Sequence, residues 1–241
     1  ALVVYGQSLF FDYSYLDDQT LILENADILE RASPSEIFLN DVFFGSAKYY
    51  YRPLLTWSLA ADWHWGGGTV FAFHFSNLVF HILAICLLFY LLRIAGIKEK
   101  MALALSGLFA VHPALSQAVA WIPGRNDALV AIFIFAALIF WSRWLRRERI
   151  GDLIILWIFF ALSLLTKESS ILLPLFALAW IFVFEKPYFT WFKLGIAAAG
   201  AAVVAFLWSL LRSAALGVGD LSLVWHSILV NLPAPFIFLF F

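Results

Sequence analysis

Charged residues are scarce in this sequence, at 13% of 241 residues with a net charge of −1 at pH 7. Soluble domains carry about 25% charged and about 45–50% apolar residues. Without an excess of either sign the chain has no field that would attract nucleic acid, and we expect no nucleic-acid partner. The hydrophobic share of 64% is larger than one soluble core can hide.

Cysteine is almost absent. The single residue, Cys86, lies inside an apolar run, which excludes a disulfide framework and a cysteine-based zinc site within the chain. The sequence also begins without Met, and its last residues, 236–241, lie within an apolar run. We therefore expect a fragment of a longer protein, truncated at both ends.

Apolar segments of membrane-spanning length recur along the whole chain. A membrane helix needs about 20 mostly apolar residues, and one such run alone would suit a buried core helix. The predicted fold class is therefore an all-α polytopic membrane protein. We predict about eight spans, at residues 1–11 (the tail of a first span), 69–92, 101–120, 127–145, 152–166, 169–185, 191–211 and 221–241.

A long loop, residues 12–68, follows the first span. Ser33 and Glu36 form a capping box with Pro34 at the first helical position, which predicts a short helix over 33–44. The segment 63–68, with its Trp and Gly residues, is typical of a turn at the membrane interface, and we assign it no chemistry.

The short loops alternate in basic charge. Nine Lys and Arg residues lie in three of them: Arg93, Lys98, Lys100, Arg143, Arg146, Arg147, Arg149, Lys186 and Lys193. The other short loops hold one each: Arg125, Lys167 and Arg212. By the positive-inside rule the first set is cytoplasmic, so the long loop and the second set are extracytoplasmic.

Two adjacent carboxylates, Asp17 and Asp18, therefore lie on the extracytoplasmic side. They suit an ordinary polar start of a loop. They also suit a general base or a metal ligand. Nearby acids and low-dielectric surroundings can raise the pKa of a carboxyl group toward the range that suits proton abstraction.

The segment HPALSQAVAWIPGRND is more informative. It suits a proline-kinked helix with a polar turn, yet it brings His112, Gln117, Arg125 and Asp127 toward one rim. Ionisable residues at membrane depth are costly, which makes them functional candidates. The fork of Arg125 suits a phosphate or diphosphate, whose oxygens it can bind in two places.

The turn LLTKESS places Lys167 and Glu168 between two spans. Alone, Lys167 suits a snorkelling side chain neutralised by its neighbour; with Arg125 on the same side, a lipid-phosphate site becomes competitive. Arg52, in YYYRPLLTWS, adds a cation beside residues 49–51, whose tyrosine rings suit an interfacial belt or a sugar platform.

Three polar residues, His74, Asn77 and His81, share one face of the second span. Hydrogen bonds between helices explain them, and two His residues seven apart make a poor metal motif. We assign no metal ligands, although a divalent metal stays possible as a cofactor.

Five segments resemble, in order and spacing, the membrane part of the transmembrane and tetratricopeptide-repeat-containing O-mannosyltransferases, to which bacterial relatives are similar. They are YLDDQTLILEN, YRPLLTWSL, FHFSNLVFHIL, LFAVHP…AVAWIPGRNDAL and LLTKES. The resemblance covers Tyr13 to Pro174. It implies a GT-C glycosyltransferase fold throughout residues 1–241, with residues 12–68 as the first extracytoplasmic loop. The repeats of the family would lie beyond residue 241.

The resemblance also implies a chemistry. A sugar, with mannose favoured, would pass from a polyprenyl or dolichyl phosphate carrier to an acceptor hydroxyl, with protein Ser/Thr favoured. The reaction would occur on the extracytoplasmic face of the membrane, which would be the plasma membrane of a bacterium or the endoplasmic reticulum membrane of a eukaryote. Asp17 and Asp18 match the acidic pair that resembles the site of the catalytic base. Many relatives have an acid where this chain has Gln117, which puts any metal or acceptor role there in doubt.

By the same match, three cations would bind the donor phosphate and four residues would support them. The cations are Arg125, Lys167 and Arg52, and the supporting residues are Asp127, Glu168, His112 and Gln117.

Three alternatives stay open. The acceptor could be a lipid or a glycan instead of a protein. A transporter or flippase would also have many spans, but transporters hold substrate near the bilayer midplane, whereas these charges lie at one surface. A membrane scaffold would tolerate alanine at Arg125 and Lys167.

Overall fold

The structure, a computed structural model, describes residues 1–15, 17–31, 33–45 and 50–217. Every regular element within these ranges is helical, which confirms the all-α class. The predicted span at 221–241 lies outside the described residues.

Eleven α-helices lie in these ranges: α1 Leu2–Tyr5, α2 Ala26–Arg31, α3 Pro34–Phe38, α4 Pro53–Gly66, α5 Val70–Ile94, α6 Glu99–Val111, α7 Ser116–Ala120, α8 Arg125–Arg147, α9 Ile150–Thr166, α10 Leu173–Trp180 and α11 Trp191–Leu216. Short 3-10 helices cover Gly6–Phe10, Pro113–Leu115, Glu168–Leu172 and Lys186–Tyr188, and π-helical turns cover Gln19–Leu23 and Ile181–Glu185.

Four described helical stretches are long and apolar enough to cross a bilayer: α5, α8, Glu168–Tyr188 and α11. A fifth counts if α6 and the segment Pro113–Ala120, bent by 54° relative to each other, form one broken span. Helix α9 is apolar but only 17 residues long. These helices confirm a polytopic membrane protein, whereas the predicted number of eight spans is not confirmed.

Residues 1–11 do not form one continuous helix. Helix α1 ends at Tyr5 and a 3-10 helix follows. The Ser8 hydroxyl donates to the Tyr5 carbonyl at 2.7 Å. Such a bond gives the backbone an alternative to the regular α-helical ladder.

The predicted capping box of α3 is present at Ser33 and Glu36, with proline at the start of the helix. The helix is shorter than predicted and ends at Phe38. Beyond it, the Asn40 side chain donates to the carbonyl of Glu36 at 2.9 Å and so satisfies an acceptor left free at the helix end.

Helix α4 lies within residues 12–68, which were predicted to form a long loop with a turn at 63–68. It begins at Pro53, and Gly67 just after it adopts a left-handed φ of 60°. Proline at the first position and glycine after the last are the usual limits of a helix. Both signals are present in the sequence, but α4 was not predicted from it.

The break between α6 and α7 falls at Pro113. Proline lacks the N–H that would continue the α-helical ladder, so the chain bends here. The bend predicted at this proline is present, but residues 101–120 form two helices joined by a 3-10 turn instead of one kinked helix.

Helix α8 lies at the centre of the bundle. In the most apolar 18-residue segment of α8, 67% is buried, against 33% for the same kind of segment in α5 and 17% in α11. It packs mainly against α9 and α5. Many large apolar side chains on the outer helices stay exposed, among them Phe75, Val79 and Leu83 of α5 and Val203 and Phe206 of α11. These faces suit contact with lipid chains.

The part of the long loop that precedes α4 folds back onto one end of the bundle. Its apolar residues Leu21, Ile22 and Leu29 form a buried cluster with Leu55 of α4 and Phe73 of α5. The loop is thus a packed cap over the first turns of these helices.

Labelling of single cysteines tests the predicted orientation. In a Cys86→Ser background, we expect a membrane-impermeant maleimide to label Ser35→Cys on intact cells and to label Lys98→Cys only after permeabilisation. Both positions are exposed, and the span α5 lies between them. Labelling of both positions on intact cells would contradict the topology.

Candidate active site

Two ion pairs meet where α4 and α8 begin and α9 ends. The Nε atom of Arg52 lies 3.2 Å from Oε2 of Glu168. The adjacent Lys167 pairs through Nζ with Oδ1 of Asp127. Four charges from three segments that lie far apart in the sequence therefore share one end of the bundle, which we call the site end.

Both cations of these pairs are partly accessible. The Arg52 side chain is 18% exposed and that of Lys167 is 26% exposed. The backbone N–H of Tyr51 also donates to Glu168 Oε1 at 3.3 Å, and the Arg52 guanidinium lies 4.4 Å from the centre of the Tyr50 ring. Tyr49 lies outside the described residues. The pairs hold both cations in place at an accessible surface.

Arg125 has a different environment, because its side chain is fully buried. Its guanidinium donates to Asp62 Oδ2 at 2.5 Å, to the Phe73 carbonyl at 2.8 Å and to the Ser58 carbonyl at 3.3 Å. Its Nε donates to the Ile122 carbonyl at 3.3 Å. The guanidinium expected to bind a donor phosphate is thus occupied by protein acceptors in this structure.

Asp62 is the partner that sequence reasoning missed. It is 3% exposed, and its Oδ1 accepts hydrogen bonds from Ser76 Oγ at 2.6 Å and Trp65 Nε1 at 3.0 Å. Recognition of α4 would have revealed it as an acid on an apolar helix. A buried acid of this kind needs a cation.

Asp17 and Asp18 differ sharply in burial. Asp17 is exposed, whereas Asp18 is 2% exposed. Asp18 Oδ2 accepts a hydrogen bond from the Ser14 backbone N–H at 2.7 Å, while Oδ1 has no hydrogen-bond partner in the described part of the chain. Burial raises the pKa of the Asp18 carboxyl, and the Ser14 N–H bond and the charge of Arg125 partly oppose this rise.

Asp18 lines an open cleft of about 360 Å³. Gln117 lines the same cleft, so the structure brings these two predicted residues together. The complete lining comprises Phe11, Asp12, Ser14, Asp18, Ser116, Gln117, Ala120 and Trp121.

Tyr13 lies in the chain between Asp12 and Ser14, which line this cleft. Its hydroxyl donates to the Gly68 carbonyl at 2.7 Å. Burial and the nearby carboxylates of Asp18 and Asp12 raise the pKa of Tyr13 to about 12, so it stays a neutral hydrogen-bond donor.

The turn before α8 is packed directly on α7. A Cβ added at Gly124 would lie 2.1 Å from the carbonyl oxygen of Gln117. Only glycine allows this approach. Arg125 therefore directly follows a residue that packs against the backbone of Gln117, and Gln117 lines the cleft.

His112 does not join the cleft lining. It is exposed at the bend between α6 and α7, where its Nδ1 accepts a hydrogen bond from the Ala114 N–H at 3.2 Å. Its place indicates a role in the turn.

The hydrogen bonds predicted for Asn77 and His81 are confirmed, whereas the prediction for His74 is wrong, because neither of its buried ring nitrogens has a hydrogen-bond partner among the described residues. Asn77 Nδ2 donates to the carbonyls of Trp121 and Val119 at 2.9 and 3.2 Å. His81 Nε2 lies 3.1 Å from the Ala110 carbonyl. Among the described residues, no group of three or more His, Cys, Asp and Glu side chains is placed to hold a metal ion.

An all-α membrane bundle with ion pairs and a carboxylate-lined cleft at one end suits a membrane-embedded transferase. The sequence matches the dolichyl-phosphate-mannose-protein mannosyltransferase family over residues 52–211. The chain belongs to this family, and the resemblance drawn from the five segments is confirmed. No solved structure gives a significant match.

Individual relatives agree with this assignment. The chain is 30% identical over 177 residues to protein O-mannosyl-transferase Tmtc1 of Drosophila melanogaster, covering 71% of this chain and 20% of the relative. It is 32% identical over 155 residues to human protein O-mannosyl-transferase TMTC1, covering 61% and 17%. It is 29% identical over 207 residues to tmtc2 of Xenopus laevis, covering 77% and 23%. The chain thus spans about a fifth of the length of these relatives.

Removal of the Asp62 charge tests the buried ion pair. We expect Asp62→Asn to lower the free energy of unfolding by about 3–5 kcal/mol, because it leaves a buried cation without its partner. The measurement is unfolding of the purified protein in mixed micelles by titration with a denaturing detergent.

Two further variants sharpen this test. Glu24→Gln removes an acid from an exposed position and should change stability little. The double variant Asp62→Leu/Arg125→Met removes both charges and should be more stable than Asp62→Asn, since no buried charge is then unpaired. If Asp62→Asn were as stable as Glu24→Gln, the pair would not support the fold.

Proposed function

We propose that this chain is the membrane part of a glycosyltransferase that moves mannose from a polyprenyl or dolichyl phosphate carrier to a hydroxyl group. The favoured acceptor is a protein Ser or Thr. The reaction would take place at the extracytoplasmic surface, in the bacterial plasma membrane or the endoplasmic reticulum. Membership of the mannosyltransferase family supports the class of reaction.

The observation that carries the proposal is the buried carboxylate of Asp18 in an open cleft, at the same end of the bundle as two accessible cations. A transferase of this kind needs a base for the acceptor hydroxyl and positive charge for the departing phosphate. The site end holds both kinds of group.

In the proposed reaction, the acceptor oxygen attacks the anomeric carbon while its proton moves to Asp18. The bond between that carbon and the phosphate oxygen breaks, and the polyprenyl phosphate leaves. This single displacement inverts the anomeric centre. Of the two acids considered from the sequence, Asp18 is favoured because it lines the cleft and has an oxygen free of described hydrogen bonds.

Lys167 and Arg52 are the proposed phosphate-binding residues. Each is held by an acid, Asp127 or Glu168, and each stays partly exposed. Preorganised charge of this kind stabilises negative charge as it develops on the leaving group.

Arg125 would then influence the site without contacting the donor. Its guanidinium is occupied by protein acceptors, yet its charge still reaches Asp18 and favours the ionised carboxylate. We therefore propose that Arg125 positions the site instead of contacting the donor phosphate.

A transfer assay tests the assignment of the base. With full-length protein in membranes, radiolabelled polyprenyl-phosphate mannose and a Ser/Thr-containing acceptor, we expect Asp18→Asn to lower the rate about 10²–10⁴-fold, the usual contribution of a general base. Asp17→Asn is the matched control and should stay close to wild type, because Asp17 is exposed.

Other outcomes of this assay would redirect the proposal. Full activity in both variants would rule out a base at this acidic pair. If label left the carrier only when a lipid or glycan acceptor was supplied, the acceptor would be a lipid or a glycan instead of a protein. If the wild type failed to release mannose, glucose or arabinose from their carriers, a transporter or scaffold would be favoured.

The pH dependence of the rate provides a separate test. A base must be ionised, and burial raises the pKa of Asp18. We therefore expect kcat/KM to rise with pH to a plateau, with the midpoint of the rise above the ordinary pKa of an aspartate. Asp18→Glu should shift this acidic limb, and Asp18→Asn should abolish it. An identical limb in wild type and Asp18→Asn would assign the titration to another group.

A further inference from the structure

A second polar cavity, of about 180 Å³, lies at the opposite end of the bundle between α5 and α8. Three arginines of α8 line it, Arg143, Arg146 and Arg147, together with Tyr90 and Ile94 of α5. The spacing of these arginines places them on one face of the last turns of α8. We call this region the basic end.

Two of the arginines pair with buried acids, and one of them, Arg146, is also held by hydrogen bonds. Arg146 donates from Nε and Nη2 to the two carboxylate oxygens of Glu185, at 2.8 and 2.7 Å. Arg143 Nε lies 3.1 Å from Asp152 Oδ1. The acid side chains are 0% and 5% exposed, whereas those of the arginines are 33% and 34% exposed. Each arginine side chain is thus paired with a buried acid and still partly exposed.

The cavity has positive charge that its acids do not neutralise. The guanidinium of Arg147 is exposed and makes no ion pair within the described ranges. In the three loops around the cavity, the nine Lys and Arg residues exceed the acids Glu99, Glu148, Asp152 and Glu185 by five. Forked donors with an uncompensated charge match the oxygens of a phosphate.

The position of the cavity indicates where that phosphate comes from. Arg147 lies 22 residues along α8 from Arg125, or about 33 Å, which is close to the ~30 Å thickness of the hydrocarbon core. Tyr90 is 51% exposed beside the cavity, and it continues the apolar face of α5 that includes Leu83. The cavity therefore opens at the depth of lipid headgroups.

We propose that this cavity binds the phosphate group of an anionic phospholipid. The head group would contact Arg143, Arg146 and Arg147, and its acyl chains would follow the exposed face of α5. Basic cavities between membrane helices are suited to such headgroups. The site is separate from the proposed transfer reaction and does not depend on it.

Thermal unfolding of the purified full-length protein in detergent tests the site. We expect phosphatidylglycerol to raise the unfolding temperature in a saturable manner, since a ligand of the folded state stabilises it. Phosphatidylcholine should not do so. Glycerol phosphate and inorganic phosphate are added in parallel samples as water-soluble phosphate ligands. Saturation by these anions with no response to phosphatidylglycerol would overturn the lipid assignment in favour of a free phosphate.

Arg147→Gln is the diagnostic variant, because its side chain makes no described ion pair and its loss should leave the lipid-free unfolding temperature unchanged. We expect about fivefold weaker apparent affinity for phosphatidylglycerol, the effect of one basic residue near an anionic lipid. The matched control is Arg149→Gln, which removes the same charge from an exposed position outside the cavity. Equal losses in the two variants, or no stabilisation of the wild type by phosphatidylglycerol, would overturn the proposal.

Discussion

The buried ion pair between Arg125 and Asp62 is the interaction on which the site end depends. One guanidinium joins α4 through Asp62 and Ser58, α5 through the Phe73 carbonyl, and the first turn of α8. A charge buried this deeply is tolerated only with its partner in place, so α4 must pack before the site is complete. The helix that starts at Arg125 then carries Asp127 to Lys167.

The two ends of α8 have contrasting chemistry. At the site end, the partly exposed cations Arg52 and Lys167 are each matched by one acid, and a carboxylate lines an adjacent cleft. At the basic end, three arginines line one cavity, two of them are paired with buried acids, and these two stay partly exposed. One central helix therefore separates a region suited to transfer chemistry from one suited to holding an anionic headgroup.

Much of the fold could be predicted from apolar length alone, because a bilayer requires long uninterrupted apolar helices. Helices α5, α8 and α11 lie where the sequence predicted spans. The gathering of Arg52, Asp127, Lys167 and Glu168 could also be predicted, since alternating loops return to the same side. Helix α4 was missed because it is shorter than a span, although Pro53 and Gly67 mark its ends.

The sequence by itself determined the class of protein, the broken helix at Pro113 and the acidic pair, since each follows from local composition or a backbone constraint. Only the tertiary structure decided which acid lines the cleft, because Asp17 and Asp18 are identical in type and differ only in burial. It also decided that Arg125 faces Asp62. The partner of a buried charge depends on which helices pack together, and that is set by contacts between segments far apart in the chain.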